Sequence, residues 1–196
     1  MIEEVCQAAQ SGDASRLSVL LEANPQLANE ENVDGLLPLG IAAHCGRTEA
    51  VRTLLDSGAD VNAISRSAIS IIPSNTALHA AIAGARDREV IQLLLDRGAN
   101  PALLDSNGHT CLHVAALHGD GIEVIRLLLD HGADVNARVE GGDTALSLAL
   151  AQGHQHQPRS CAGTGPESRR DAGSAYSFQR GEDRTAIQPL SCLVFI

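Results

Sequence analysis

Apolar residues recur along the first 154 positions with the period of short amphipathic helices. Val90, Leu93 and Leu94 follow the spacing i, i+3, i+4 of one helical face, and the same spacing returns 34 residues later. A glycine that can adopt the left-handed conformation follows such segments, for example Gly58 and Gly98. Helices of about two to three turns are marginal alone, so they must pack on one another. The pattern predicts an all-α fold of short, stacked helices.

The predicted helices recur as copies of one unit. The second half of the unit reads LLDSGADVN (54–62), LLDRGANPA (94–102) and LLDHGADVN (128–136). The first half reads LPLGIAAHCG (37–46), TALHAAIAG (76–84), TCLHVAALHG (110–119) and TALSLALAQG (144–153). These segments resemble the ankyrin repeat, a unit of about 33 residues with a T-P-L-H-x-A signature, two helices and a β-turn. The resemblance implies an ankyrin repeat solenoid of paired antiparallel helices with β-hairpin loops.

The resemblance also implies the domain boundaries. We expect an ankyrin repeat domain over residues 1–154, followed by a disordered, non-repeat tail over residues 155–196. The tail is rich in Gly, Ser, Arg, Pro and Gln and has no helical or strand periodicity. The repeats are predicted at about 2–32, 33–65, 66–106 and 107–139, with a truncated repeat at 140–154. The first copy lacks the TPLH box, as terminal repeats often do.

The second helix of the last repeat is missing from the amino-acid pattern after His154. If the codons of PRSCAGTGP (158–166) are read in a shifted frame, they permit AELRRHGA, which resembles the end of such a helix. Codon degeneracy forces only the leucine in that reading. We therefore hypothesise that the chain leaves the repeat frame between His154 and Pro158, through a frameshift, an alternative exon or a sequencing error. A genuine tail is the alternative.

Residues at the helix ends and on the helix faces fit this prediction. Thr76, Thr110 and Thr144 are predicted N-caps, and Pro38 occupies a first-turn position where its missing N–H costs nothing. Paired alanines, such as Ala80 with its neighbour, occupy the first helix of several repeats. We expect these small side chains to let neighbouring repeats approach closely.

Charge and composition exclude several function classes. Residues 1–154 contain 20 acidic residues and 9 arginines, and such a domain gains nothing from counterion release, so we expect no nucleic-acid partner. The chain has no lysine, so it has no catalytic or P-loop lysine. No window reaches the length of an apolar membrane span, and the acidic start MIEEVCQAAQ lacks a signal-peptide core. Five scattered cysteines without a CxxC pair indicate a reducing compartment, so we expect a cytoplasmic protein without membrane partners.

No catalytic or metal signature stands out from the repeat pattern. The resemblance implies that His79 and His113, in the TPLH boxes, are structural hydrogen-bonding residues, and neither has a companion nucleophile. His154, His156 and Cys161 lack a fourth ligand at zinc-site spacing. We therefore expect no enzyme activity, no metal and no cofactor.

The resemblance implies a partner-binding concave face formed by loop tips and exposed positions of the first helices. The predicted partner-binding residues are Asp34, Leu36, His44, Arg66, Ser67, Ile69, Ile71, Asn107, His109, Leu117, His118, Glu140 and Asp143. The loop over residues 63–75 is six residues longer than the corresponding loop after Asn136, and it contains four isoleucines. These isoleucines either form a contiguous apolar interaction patch or pack on the adjacent tip.

These observations favour a non-enzymatic protein–protein interaction module. The partner is an unidentified protein, and we expect the chain to be a monomer. Two alternatives stay open: an accessory or inhibitory subunit of a partner enzyme, and a structural, self-assembling repeat array. The fold alone does not choose the partner, because loop residues set the specificity of such surfaces.

Overall fold

The computed structural model describes residues 1–84, 87–118, 122–139 and 141–153, and within these ranges the chain folds into short α-helices. The helices are α1 (Ile2–Ser11), α2 (Ala14–Ala23), α3 (Pro38–His44), α4 (Thr48–Asp56), α5 (Ala77–Ala83), α6 (Arg88–Asp96), α7 (Cys111–His118), α8 (Ile122–Asp130) and α9 (Ala145–Gly153). A 3₁₀ helix, Pro25–Asn29, follows α2. The predicted all-α class is confirmed.

The helices stack in two rows. Helices α1, α3, α5, α7 and α9 form an inner row in which each helix packs on the next, and α2, α4, α6 and α8 form an outer row. Each outer helix also packs on the inner helix that precedes it in the chain. The described residues contain no outer helix paired with α9. This stacked arrangement of helix pairs is the one that the sequence repeats predict.

Small side chains let the inner helices lie close together. Ala42 and Ala43 on α3 and Ala81 on α5 are fully buried in the core, as the sequence predicts. The outer helices contribute larger side chains: Leu54 and Leu94 are completely buried between the two rows. Full burial of one leucine stabilises a fold by about 1.5–3 kcal/mol, so stacking supplies the stability that such short helices lack alone.

The predicted start signals are found at α3, α5 and α9. The hydroxyl oxygen of Thr76 accepts the backbone N–H of His79 at 3.5 Å, and Thr144 does the same for Ser147 at 3.3 Å. Pro38 is the first residue of α3. These local interactions fix where these helices begin.

The outer helices α4, α6 and α8 end as the glycine pattern predicts. Gly58, Gly98 and Gly132 follow them with φ between 87° and 89°, the left-handed region that favours glycine. The chain can then reverse towards the loop tip of the next repeat.

The loop tips are turns supported by side chains rather than by paired strands. Strand-type pairing among the described residues is limited to one isolated antiparallel bridge, between Arg138 and Thr144. At the loop tip over residues 105–109, the carboxylate of Asp105 accepts the N–H of Asn107 at 2.8 Å and the N–H of His109 at 2.9 Å. The Asp105 side chain thus supplements the backbone bonds of this tip, among them the Asp105 N–H to the His109 carbonyl at 2.9 Å. None of the helices within the described ranges is long and apolar enough to span a bilayer.

Candidate functional site

An apolar groove lies where three inner helices meet the loop tips. It has a volume of about 380 Å³ and is formed by α3, α5, α7 and the tips beside them. Helix side chains such as Ile41, Ala80 and Val114 line one side, and Ile72 and Pro73 of the long loop line the other. Its volume and mostly apolar lining are typical of binding sites in proteins.

Seven of the thirteen predicted partner-binding residues line this groove. They come from three loop tips and two inner helices: Leu36, His44, Ile71, Asn107, His109, Leu117 and His118. Ile71 is 75% exposed, whereas Leu36 is only 7% exposed and contributes mainly to the packing beneath. The stacking of repeats therefore brings residues 36 and 118, far apart in sequence, to one surface.

The other predicted residues lie elsewhere. Ser67 accepts the N–H of Ile69 within its own turn, and the Arg66 side chain is 86% exposed and pairs with Glu31 at 3.4 Å. The exposed Asp143 accepts the hydroxyl of Ser147 at 3.1 Å. The prediction for Glu140 lies outside the described residues.

The long loop, residues 63–75, is called the inserted hairpin below. Its isoleucines face different environments: Ile69 and Ile72 pack against a small cluster formed by Cys6, Leu36 and Ile41. Ile71 is not part of this cluster and is largely exposed. Of the two alternatives given by the sequence, packing on the adjacent tip therefore applies to Ile69, whereas Ile71 remains as an apolar surface.

The loop tip around Asp34 and Gly35, called the second tip below, is hydrogen-bonded to the inserted hairpin through its backbone. The carbonyl oxygen of Asp34 accepts the N–H of Ala68 at 2.8 Å, and Gly35 accepts the N–H of Arg66 at 2.9 Å. A Cβ atom at Gly35 would lie 2.1 Å from the Arg66 carbonyl oxygen, and its φ of 72° also requires glycine. Asp34 thus contacts the inserted hairpin through its backbone carbonyl and is not one of the residues that line the groove.

Several groove residues were missed by the sequence analysis. Asp60, Ser65 and Asp105 are polar side chains in loops, and they line the groove. Ser65 and Asp105 are buried because each closes a turn with its side chain. A sequence signal existed for Asp105, because it lies two residues before Asn107 and four before His109, the Asx-turn spacing.

His79 is bonded at both ring nitrogens. Its Nε2 lies 3.2 Å from the carbonyl oxygen of His109, which can only accept, so Nε2 carries the hydrogen. Its Nδ1 then accepts the hydroxyl of Thr76 at 2.8 Å. Burial lowers the pKa of His79, and the His109 carbonyl and the Asp105 charge offset part of this effect. The predicted structural role of His79 is confirmed by these contacts.

His113 repeats only half of this arrangement. Its Nδ1 bonds to the hydroxyl of Thr110 at 2.7 Å, but its Nε2 is buried and has no partner among the described residues. The carbonyl that corresponds to His109 is that of Asp143, which follows 30 residues after His113. The last repeat therefore lacks one of the bonds that join repeats three and four.

The buried thiols are not arranged as nucleophiles. Burial raises the pKa of Cys6 to about 12, and the nearby Glu3 and Asp34 charges add to the shift. Burial also raises the pKa of Cys111. A protonated thiol is a poor nucleophile, so these two cysteines serve as small apolar side chains. The described part of the chain contains no group of three His, Cys, Asp or Glu side chains placed to hold a metal ion.

Comparison with known proteins decides the family. The family model described as ankyrin repeats (3 copies) matches residues 5–105 and 78–157 of this chain. The chain belongs to the ankyrin repeat family. Ankyrin repeats are in general modules for protein–protein interaction and are typically not enzymes, and the groove formed by α3, α5 and α7 lies within the matched region.

The chain is similar to parts of several longer proteins. The chain is 38% identical over 90 residues to the serine/threonine-protein kinase VIK of Arabidopsis thaliana, covering 46% of this chain and 19% of the kinase. It is 38% identical over 104 residues to the probable E3 ubiquitin-protein ligase XBOS31 of Oryza sativa subsp. japonica, covering 53% of this chain and 22% of the ligase. It is 36% identical over 98 residues to inversin of Gallus gallus, covering 50% of this chain and 8% of inversin. The chain thus spans less than a quarter of the length of these relatives.

Proposed function

We propose that the chain is a non-enzymatic adaptor that binds a protein partner in the groove between α3, α5, α7 and the inserted hairpin. The observation that carries this proposal is the convergence of seven predicted residues on one apolar groove. Exposed isoleucine in such a groove gains free energy when a partner covers it, at about 25 cal/mol per Å² of apolar surface. We place this function in the cytoplasm, with the chain as a monomer and without a cofactor.

The location of the groove on the stack supports the proposal. Its floor comes from inner helices that are fixed by a buried core, so the floor is rigid. Its rim comes from loop tips, whose side chains are free to differ without loss of the fold. A rigid floor with a variable rim gives a surface that selects a partner at little cost in conformational entropy.

Affinity capture with the full chain tests the proposal. We would compare the wild type with an Ile71→Asp, Leu117→Asp variant, in which two groove walls carry a charge. Val19→Asp is the matched control, because Val19 is 61% exposed on α2 and lies outside the groove. We expect a protein that the wild type and the control retain and the groove variant loses. Equal recovery by all three proteins would contradict the proposal.

A second candidate is an accessory or inhibitory subunit of a partner enzyme. The names of a kinase and a ubiquitin ligase among the relatives favour it, since in those proteins the similar region accompanies further sequence. The capture experiment separates the two candidates. An enzyme retained through the groove, with an activity that changes when the chain is added, would support the second candidate.

A further inference from the structure

The inserted hairpin is fixed on both sides, so it forms a wall rather than a loose loop. Its base is closed by the N–H of Ser65, which donates to the carbonyl of Asn75 at 3.0 Å. On one side, backbone bonds from residues 66 and 68 join it to the second tip. On the other side, the N–H of Ser106 donates to the Ser74 carbonyl at 2.9 Å, and the Ser74 N–H donates to the Ser106 hydroxyl.

One aliphatic side chain of this wall, Ile71, is exposed beside a recess. The recess is the part of the groove between the inserted hairpin and helices α3 and α5. Ile72 and Pro73 line the recess, and Ile71 stands at its edge. Across the recess, Gly40 of α3 and Ala83 of α5 carry small or no side chains, and no heavy atom lies within 4 Å of a Cβ placed at Gly40. The recess therefore has room for the aliphatic side chains of a bound peptide.

The recess is lined by two acidic side chains, Asp60 and Asp105, together with four histidines. Arg66 of the inserted hairpin does not line it and pairs with Glu31 instead. The described lining residues include no arginine, and residues 1–154 carry 20 acidic residues against 9 arginines. A negative groove attracts a positively charged partner and repels an acidic one.

We propose that the groove takes a short basic peptide segment of a partner protein. A branched aliphatic side chain of the segment enters the recess between Ile71 and Ala83, and flanking Arg or Lys residues lie in the negative field near Asp60. This inference rests on the proposed function and adds the chemistry of the partner to it. The inserted hairpin is then the element that selects the partner, because it supplies one whole wall of the recess.

Selection from random twelve-residue peptides displayed on phage tests this proposal with the full chain as bait. The selected peptides are then synthesised and titrated by fluorescence anisotropy against the wild type and four variants. Ile71→Asp charges the hairpin wall, and Ala83→Leu fills the recess without adding charge. Asp60→Asn removes one negative charge but keeps the oxygen that accepts the Asn62 N–H at 2.9 Å. Val19→Asp is the control.

We expect peptides that contain Leu, Ile or Val beside an excess of Arg and Lys. Their affinity should fall at least about tenfold in Ile71→Asp and Ala83→Leu, should fall about two- to fivefold in Asp60→Asn at low salt, and should be unchanged in Val19→Asp. Raising the salt concentration should remove the effect of Asp60→Asn, because exposed charges are screened.

Two other outcomes overturn different statements. Acidic or uncharged peptides that still depend on Ile71 and Ala83 would contradict the partner chemistry and leave the groove as the binding site. Peptides whose affinity is unchanged by both substitutions would contradict the groove itself, and with it the proposed function.

Discussion

The side-chain amide of Asn62 donates to the carbonyl oxygen of Gly98 at 3.1 Å and so joins one repeat to the next. The oxygen of the same amide accepts the N–H of Asn100 at 2.8 Å. One repeat earlier, Asn29 makes the same two bonds, to the carbonyl of Gly58 and the N–H of Asp60, at 2.8 and 2.7 Å. We call this pair of bonds the asparagine clasp.

The clasp is missing between the third and fourth repeats, because the corresponding residue is Ala102. We expect Ala102→Asn to raise the free energy of unfolding by about 1 kcal/mol, since two partly exposed hydrogen bonds form. The melting temperature should rise by about 2–4 °C. Thermal unfolding followed by circular dichroism measures this shift. Ala102→Asp is the control: it can accept the backbone N–H but cannot donate to the carbonyl, so an equal rise would contradict the clasp.

Acid should weaken the fold through His79. Its pKa is lowered in the folded state, chiefly by burial, so the unfolded chain takes up the proton first. The stability from neutral His79 is complete above the unfolded pKa of about 6.5 and is lost as pH falls through the lower folded value. Urea unfolding at pH 7.5 and at pH 5 should show the decrease.

The substitution His79→Gln separates this residue from the other histidines. At pH 7.5 the variant should be less stable, because the bonds to Thr76 and the His109 carbonyl are lost. Its stability should also change less with pH than that of the wild type. An equally steep decrease in His79→Gln would show that another group is responsible.

Two glycines, one inside α3 and one directly after α5, should respond in opposite ways to replacement by alanine. A Cβ at Gly84 would lie 2.2 Å from the carbonyl oxygen of His44, so α3 and α5 would have to move apart. We expect Gly84→Ala to lower the free energy of unfolding by about 1–3 kcal/mol. Gly40 lies inside α3 with open space around its Cβ position, so Gly40→Ala should raise it by about 0.5–1 kcal/mol. Chemical unfolding of both variants measures the difference, and the same sign for both would contradict the close approach at Gly84.

The repeat pattern predicts the fold because it is a local signal repeated many times. Helix periodicity predicts that Leu94 is buried, and the end of a helix predicts the left-handed conformation of Gly58. Both signals depend only on residues close in sequence. Copies of one unit then require one kind of packing, so the row of inner helices follows. The candidate site was predictable to the extent that it uses the same repeat positions, such as His44 and Leu117.

The inserted hairpin shows where prediction from the sequence ends. Ile69 and Ile71 are two residues apart and chemically identical, yet one packs on Leu36 and the other is exposed. The backbone bond between Ala68 and Asp34, directly before Ile69, is a contact between two loops that no local pattern records. Side chains with the same hydropathy acquire different roles once such a contact fixes the direction of the chain.

The exposed face of α9 leads to the last prediction. Leu146 is 65% and Leu150 is 59% exposed, and the described residues provide no outer helix to cover them. We expect that replacing residues 154–196 by a copy of residues 121–133, which include α8, would bury these leucines. Burial of about half of each side chain should stabilise the stack by about 2 kcal/mol.

Thermal unfolding and binding of a hydrophobic dye measure the effect of this replacement. The melting temperature should rise and dye binding should fall, whereas a copy with its leucines changed to serine should do neither. If the new helix also brings the last tip closer, the buried Nε2–H of His113 gains the Asp143 carbonyl as its acceptor. In NMR spectra that proton should then exchange more slowly with solvent. An unchanged melting temperature would mean that α9 needs no outer helix. The exposed face of α9 would then no longer support the hypothesis that the repeat frame is lost after His154.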